Sequence, residues 1–295
     1  MYTLLRLTLI PVLLAALLTV PAAAKEEPEW RSWPTGDRFY GSISYYKPEL
    51  RTQAGVSDAE GNLGALISFE ETLGLSDSKG TGLINLGWRI SKRNALTANY
   101  FKLDRSSTQE STINIFLPDP SDPSAPPEEG DVTLPLSAVF NIESFDITYA
   151  FSAIANEKHN LAIGLGLAIQ DLQFGFEPSA SCDVPVCDLV EPREATTTAP
   201  LPTLKLVYQY AINEKWIVGA NLGYFALSLE LDDKEDLSGR IVDAGAVVRW
   251  KTWKHVGFNL GYKYFDVDFE YAKRDLRAEA DYDYRGFALG IEAFY

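Results

Sequence analysis

The sequence predicts an all-β protein: a transmembrane, antiparallel, up-and-down β-barrel of ten strands, with eight or twelve as the alternatives. Three observations predict it. Apolar residues recur at every second position through most of the chain after residue 38. The connections between these segments alternate between tight and long. The first 24 residues have the form of an export signal.

That signal reads MYTLLRLTLIPVLLAALLTVPAAA, with Arg6 ahead of an apolar run and Ala22-Ala23-Ala24 as a small-residue cleavage site. An uncleaved anchor is the alternative, but Pro11 interrupts the run and the run is short for a membrane helix. The expected organisation is therefore a signal peptide over 1–24, a periplasmic segment over 25–37 and the barrel over 38–295. Arg6 is the only charged residue in the signal, so the mature chain carries 25 basic residues against 41 acidic ones. So acidic a chain is a poor partner for nucleic acid. Cys182 and Cys187, in CDVPVC, are the only two cysteines. In an exported protein they predict a disulfide closing a small loop, and with no His or third Cys nearby a metal site is the weaker alternative.

Ten segments read as strands: about 38–50, 80–91, 94–105, 139–153, 159–174, 200–211, 215–230, 239–251, 255–270 and 281–295. In WIVGANLGY, Trp216, Val218, Ala220, Leu222 and Tyr224 share one face, and Gly219 and Asn221 lie on the other. VGFNLGYKY repeats the pattern. A helical reading fails because the period is two and glycines interrupt the interiors. The links SKRN, ANEKHN, INEK and KTWKH are tight, while 51–79, 106–138 and 175–199 are long. Such sorting by length between two ends is what a barrel shows when its strands cross a membrane in pairs, with tight turns periplasmic and loops outside. A soluble β protein with apolar residues inside is the alternative.

With the apolar rows facing lipid, the opposite rows face the lumen. These predict a polar lumen of Asn85, Arg89, Asn99, Asp146, Gln170, Lys205, Gln209, Asn221, Asp243, Arg249, Asn259, Lys263 and Glu292. Seven of these carry charges of nearly balanced sign, and opposite charges inside a low-dielectric wall must pair or stay wet. A mostly filled lumen is the expectation, with a narrow pore as the alternative. Aromatics cluster near segment ends, as at Trp88, Tyr208, Trp216, Trp250 and Tyr295, where a membrane places its interfacial belts.

The chain ends FALGIEAFY. Phe287, Leu289, Ile291, Ala293 and Tyr295 alternate to a terminal aromatic ring, and Gly290 lies between them. With the signal peptide and the paired strands, this ending resembles Gram-negative outer-membrane β-barrels. ISFEETLGL (67–75) followed by LGWRISKRNALTANYFKLDRS (86–106) resembles small uncharacterised barrels of the OmpA and OmpW kind. The resemblance implies an outer-membrane location and contact with membrane lipid and lipopolysaccharide. It also implies recognition of the last strand by barrel assembly machinery. It implies no activity, because one barrel hosts many functions.

An enzyme is not expected. The alternative is a barrel hydrolase, a lipid deacylase or an omptin-like protease, which would need an activated water or nucleophile. The two histidines, His159 and His255, both fall at tight turns, away from the outer mouth where omptin-like chemistry sits. No cofactor or metal site is expected. The acidic runs DPSDPSAPPEEGD (119–131) and LDDKED (231–236) lack the ligand spacing of a calcium loop and read as solvated loops. Residues 51–79 contain a possible hairpin, and ETLGL (71–75) has the option of folding inward as a plug or short helix.

Overall fold

The computed structural model describes residues 28–57, 64–117, 128–178, 193–232, 235–273 and 276–295. The signal segment, Cys182 with Cys187, and residues 119–127 of the first acidic run lie outside them. Among the described residues the chain forms eleven strands. They are β1 (Phe39–Ser57), β2 (Gly64–Ser68), β3 (Thr81–Arg89), β4 (Asn94–Leu117), β5 (Glu128–Ala155) and β6 (His159–Pro178). Then follow β7 (Arg193–Ala211), β8 (Trp216–Asp232), β9 (Glu235–Trp250), β10 (Val256–Lys273) and β11 (Leu276–Phe294).

Ten of them close a ring. β3 to β11 pair antiparallel in chain order, β3 pairs with β1, and β11 returns to β1. The seam runs from Tyr40↔Phe294 to Ser57↔Arg277, and Phe39 and Tyr295 exchange backbone hydrogen bonds of 2.8 Å beneath it. The terminal FALGIEAFY is thus the strand that removes the sheet's last free edge. Tight turns join the strands at one rim. Asn156 and Asn213 close two of these turns through side-chain oxygens that accept from the backbone N–H groups of His159 (2.8 Å) and Trp216 (2.9 Å).

The apolar rows face outward. Ile43, Leu165, Leu204, Leu222, Phe287, Leu289 and Ile291 are each more than half exposed. In water such a surface would be a large liability, and in a bilayer it is the required one. Stacked pairs Trp216–Trp250 and Phe39–Trp88 ring the tight-turn edge of this girdle. At the other edge the outward rows become charged: Lys47, Glu49 and Arg51 on β1, Lys102 and Asp104 on β4, Asp266 and Asp268 on β10, Asp281 and Arg285 on β11. The girdle is therefore about ten residues deep, the length a tilted strand needs to cross.

The strands continue past the girdle, farther than hydropathy suggests. β5 begins at Glu128 and β7 at Arg193, inside stretches expected to be loops. Asp232 and Glu235 likewise belong to strands. Backbone pairing extends a ladder whatever its side chains, whereas an alternating apolar signal exists only where one face meets lipid. The hairpin expected within 51–79 forms as β1 with β2, pairing Gln53↔Ser68 through Ser57↔Gly64.

Leu165 is 70% exposed at the middle of the Leu161–Ile169 row. Leu165→Arg is expected to destabilise the barrel in lipid vesicles by about 2–4 kcal/mol, measured by denaturant unfolding followed through tryptophan fluorescence.

Candidate functional site

The lumen has two levels, set by the inward residues of each strand. On the tight-turn side these residues are small or polar: Ser42 and Ser44 on β1, Ala150 and Ser152 on β5, Ala162 on β6, Gly245 on β9 and Ala288 on β11. They leave a chamber of about 260 Å³. All of the lumen residues read from the sequence line it except Gln170, which lies buried farther along β6 and accepts a hydrogen bond from the Tyr282 hydroxyl.

At the chamber wall the Lys205 ammonium lies between two carboxylates, 2.8 Å from Asp146 and 2.7 Å from Asp243. Asn99 and Thr148 donate to the same Asp146 oxygen at 3.1 and 3.2 Å. The three charges come from β5, β7 and β9, so the intervening strands must leave space. Gly166 of β6 does so: a Cβ there would stand 2.7 Å from the Lys205 side chain and 2.6 Å from the Thr203 hydroxyl. Nearer the mouth, Arg249 lies 3.5 Å from Glu292 and stacks over Tyr40 at 4.6 Å. Ser42 accepts from Asn85, Asn259 accepts from Ser44, and Gln209 accepts from Asn160. Lys263 lies over the rings of Phe101 and Tyr284, at 5.4 and 5.7 Å. Arg89 and Asn221 complete the lining.

The segment before β1 packs under this mouth. Lys251 pairs with Asp37 and donates to the Pro34 carbonyl, and Lys92 lies over Trp33 at 4.7 Å.

The outer level is apolar, which the alternation of polar and apolar faces does not anticipate. Tyr46, Phe101 and Tyr284 are fully buried in edge-to-face contact, and Leu103, Ile142, Phe140, Phe265 and Val267 continue the cluster. Into it turn Phe69, Leu73 and Leu75, from the segment between β2 and β3. ETLGL therefore folds inward. Phe69 packs edge-on against Phe140 and Phe174, and Gly74 takes a left-handed φ of 64° at the bend. Sequence reasoning missed this cluster because Phe101 and Leu103 interrupt otherwise polar inward rows. Their only signal was a change of parity in which face carries the large residues.

A buried cation secures the inward segment. Arg105 of β4 is 1% exposed. Its guanidinium donates to Glu70 at 2.5 Å, to Thr52 at 2.8 Å and to the Ser76 carbonyl at 3.3 Å, and it lies 5.0 Å from the Phe140 ring. Glu70 in turn accepts from the Thr52 backbone N–H at 2.9 Å.

The histidines sit at the tight-turn rim. His159 Nδ1 is 2.8 Å from the Tyr208 hydroxyl, and His255 Nδ1 is 3.0 Å from the Phe294 carbonyl. Of the C-terminal residues, Phe287, Leu289, Ile291 and Tyr295 face outward, Ala293 lies in the same row, and Gly290 lies opposite Ser44.

No protein-family model and no curated protein matches the sequence. Solved structures are similar to it. The outer membrane protease OmpT of Escherichia coli superposes with a TM-score of 0.54 at 12% identity, over 88% of this chain and 98% of that one. The outer membrane protein OprG of Pseudomonas aeruginosa gives 0.37 at 8% identity, over 87% of this chain and 95% of that one. Closed ring and lipid-facing girdle define the class: this is a transmembrane antiparallel β-barrel of ten strands.

Replacing Lys205 with Met would leave Asp146 and Asp243 buried without their shared counter-charge. The expected loss is about 3–5 kcal/mol of unfolding free energy, largely recovered when Asp146→Asn and Asp243→Asn are added; denaturant unfolding of the three proteins checks it. Outside the girdle, Asp281 stands opposite Asp268 with Asp266 and Asp283 nearby. Partial burial, then these carboxylates, raise its pKa. The folded chain thus keeps that proton to higher pH than the unfolded chain, and stability rises as pH falls through this window. Asp281→Asn is expected to raise the denaturation midpoint at pH 7, with the gain vanishing once the wild-type carboxyl is protonated.

Proposed function

We propose that this chain is a closed-lumen outer-membrane barrel with a structural and surface-presenting role, exercised through its outer half rather than by flow of solute. The observation that carries this reading is the apolar outer level of the lumen, where Phe69, Leu73 and Leu75 fill the space between the strands. Ion flow needs a continuous wet path, and a packed aromatic cluster offers none. The extension of β4, β5 and β6 beyond the girdle supports a role on the outer side.

Its partners on this reading are the lipid around the girdle and lipopolysaccharide at the charged belt above it. Assembly machinery is a further partner, engaged through the row from Phe287 to Tyr295. The positions of His159 and His255, at the rim opposite the outer mouth, favour this role over a protease or deacylase. Narrow passive transport is the second reading, favoured by the chamber of about 260 Å³. Single-channel recording separates the two. The purified full chain in a planar bilayer is expected to show no stable current, and a stable open current would establish the transport reading instead.

A further inference from the structure

The polar chamber is closed at one end. Toward the outer level it stops at Tyr46, Phe101 and Tyr284, which pack in edge-to-face contact. Its mouth is at the tight-turn rim, where Tyr40, Arg89, Asn160 and Arg249 line it. The segment before β1 covers part of that mouth at Pro34 and Asp37. The chamber's volume of about 260 Å³ lies just under the ~300–1,000 Å³ of drug-sized ligand sites, which suits an occupant of monosaccharide size.

Charge is spread unevenly along it. At the closed end two ammoniums, Lys205 and Lys263, accompany two carboxylates, Asp146 and Asp243. At the mouth three cations, Arg89, Arg249 and Lys251, meet two carboxylates, Asp37 and Glu292. Asp37 pairs with Lys251, and Glu292 pairs with Arg249. Asp37 also acts electrostatically on Arg89, from beyond ion-pair distance. Arg89 is left with one hydrogen bond, to the Lys92 carbonyl at 3.4 Å, and with no ion pair among the described residues. It stands beside Tyr40, whose ring lies 4.6 Å from the Arg249 guanidinium. A planar guanidinium fork holds a carboxylate through two parallel hydrogen bonds. One further negative charge there would balance the mouth.

Neutral polar groups along the wall also lack partners. Asn259 accepts from Ser44 through Oδ1, and Asn160 donates to Gln209 through Nδ2. The other ends of these amides, Asn259 Nδ2 and Asn160 Oδ1, have no partner among the described residues, and neither has Glu292 Oε2. All three residues are buried chamber-lining groups. One of these atoms is a donor and two are acceptors. A hydroxyl serves either kind, because it both donates and accepts.

We propose that the chamber is a binding site for a small hydroxylated carboxylate, a sugar acid of monosaccharide size, entering from the tight-turn rim. Arg89 holds the carboxylate beside Arg249, and the hydroxyls meet Asn160, Asn259 and Glu292. The solute is bound and released at one rim and does not pass through. That last point rests on the closed-lumen reading.

Equilibrium dialysis of the purified full chain in detergent micelles against radiolabelled D-glucuronate tests the site. Wild type is expected to bind saturably, with one molecule per chain. Glucose, which lacks the carboxylate, is expected to compete roughly ten-fold more weakly than unlabelled glucuronate, or worse, as the loss of a charge-assisted hydrogen bond implies. Arg89→Gln is expected to weaken binding by about the same factor. Gly261→Leu keeps every charge and fills the chamber: a Cβ there would meet only the Ala246 carbonyl at 3.5 Å and the Val247 side chain at 4.0 Å. It is expected to abolish binding, and it decides the matter if Arg89→Gln does not fold, as judged by heat-modifiable gel mobility. Absence of saturable binding to wild type overturns the proposal. So does equal competition by glucose, or undiminished binding by either folded variant. Dialysis is indifferent to conduction, so a stable current in a planar bilayer strikes the closed-lumen reading, whereas absent binding strikes the site.

Discussion

In hydrocarbon an unpaired backbone N–H or C=O finds no water to bond, so a sheet that crosses a membrane must have no edge. The pairing of β11 with β1 meets that constraint, and most other features follow from it. The chain has to return to its starting rim, which makes the strand number even and places both described ends at the tight turns. The last residues cannot fray, because Tyr295 and Phe39 bond each other at the base of the seam.

Closure at ten strands also sets the width of the lumen, and the residue sizes on each strand decide how it is used. Small inward residues such as Ala150, Ala162, Gly166 and Gly245 leave room near the tight turns, and polar groups collect there. Farther out Tyr46, Phe101 and Tyr284 meet across the same space and exclude water. One wall thus surrounds a polar chamber and an apolar plug, with no change in backbone architecture between them.

Buried charge marks both levels, with different consequences. Lys205 satisfies two carboxylates and ties three alternate strands together across the chamber. Arg105 holds the segment between β2 and the short β3, which itself belongs to no strand. The first pair braces the ring. The second fastens an insert to it.

Much of this was legible in the residues. Alternation at Leu161–Ile169 and Trp216–Tyr224 marked the lipid face, the tight links marked one rim, and the closing strand announced itself in FALGIEAFY. The polar inward positions from Asn85 to Glu292 could be named because each lies one residue from an apolar neighbour that must face lipid. Partners inside the lumen could not be named. Lys205 meets Asp146 and Asp243 only because barrel closure and register bring β5, β7 and β9 around a shared space, distances of tens of residues along the chain. The inward turn of Phe69, Leu73 and Leu75 was open for the same reason: ETLGL is a solvated loop or a plug depending on what stands across from it. Local pattern determined the strands and their faces, since lipid on one side imposes a period of two. Tertiary closure decided what fills the interior, since packing and charge pairing there depend on residues that meet only once the ring is shut.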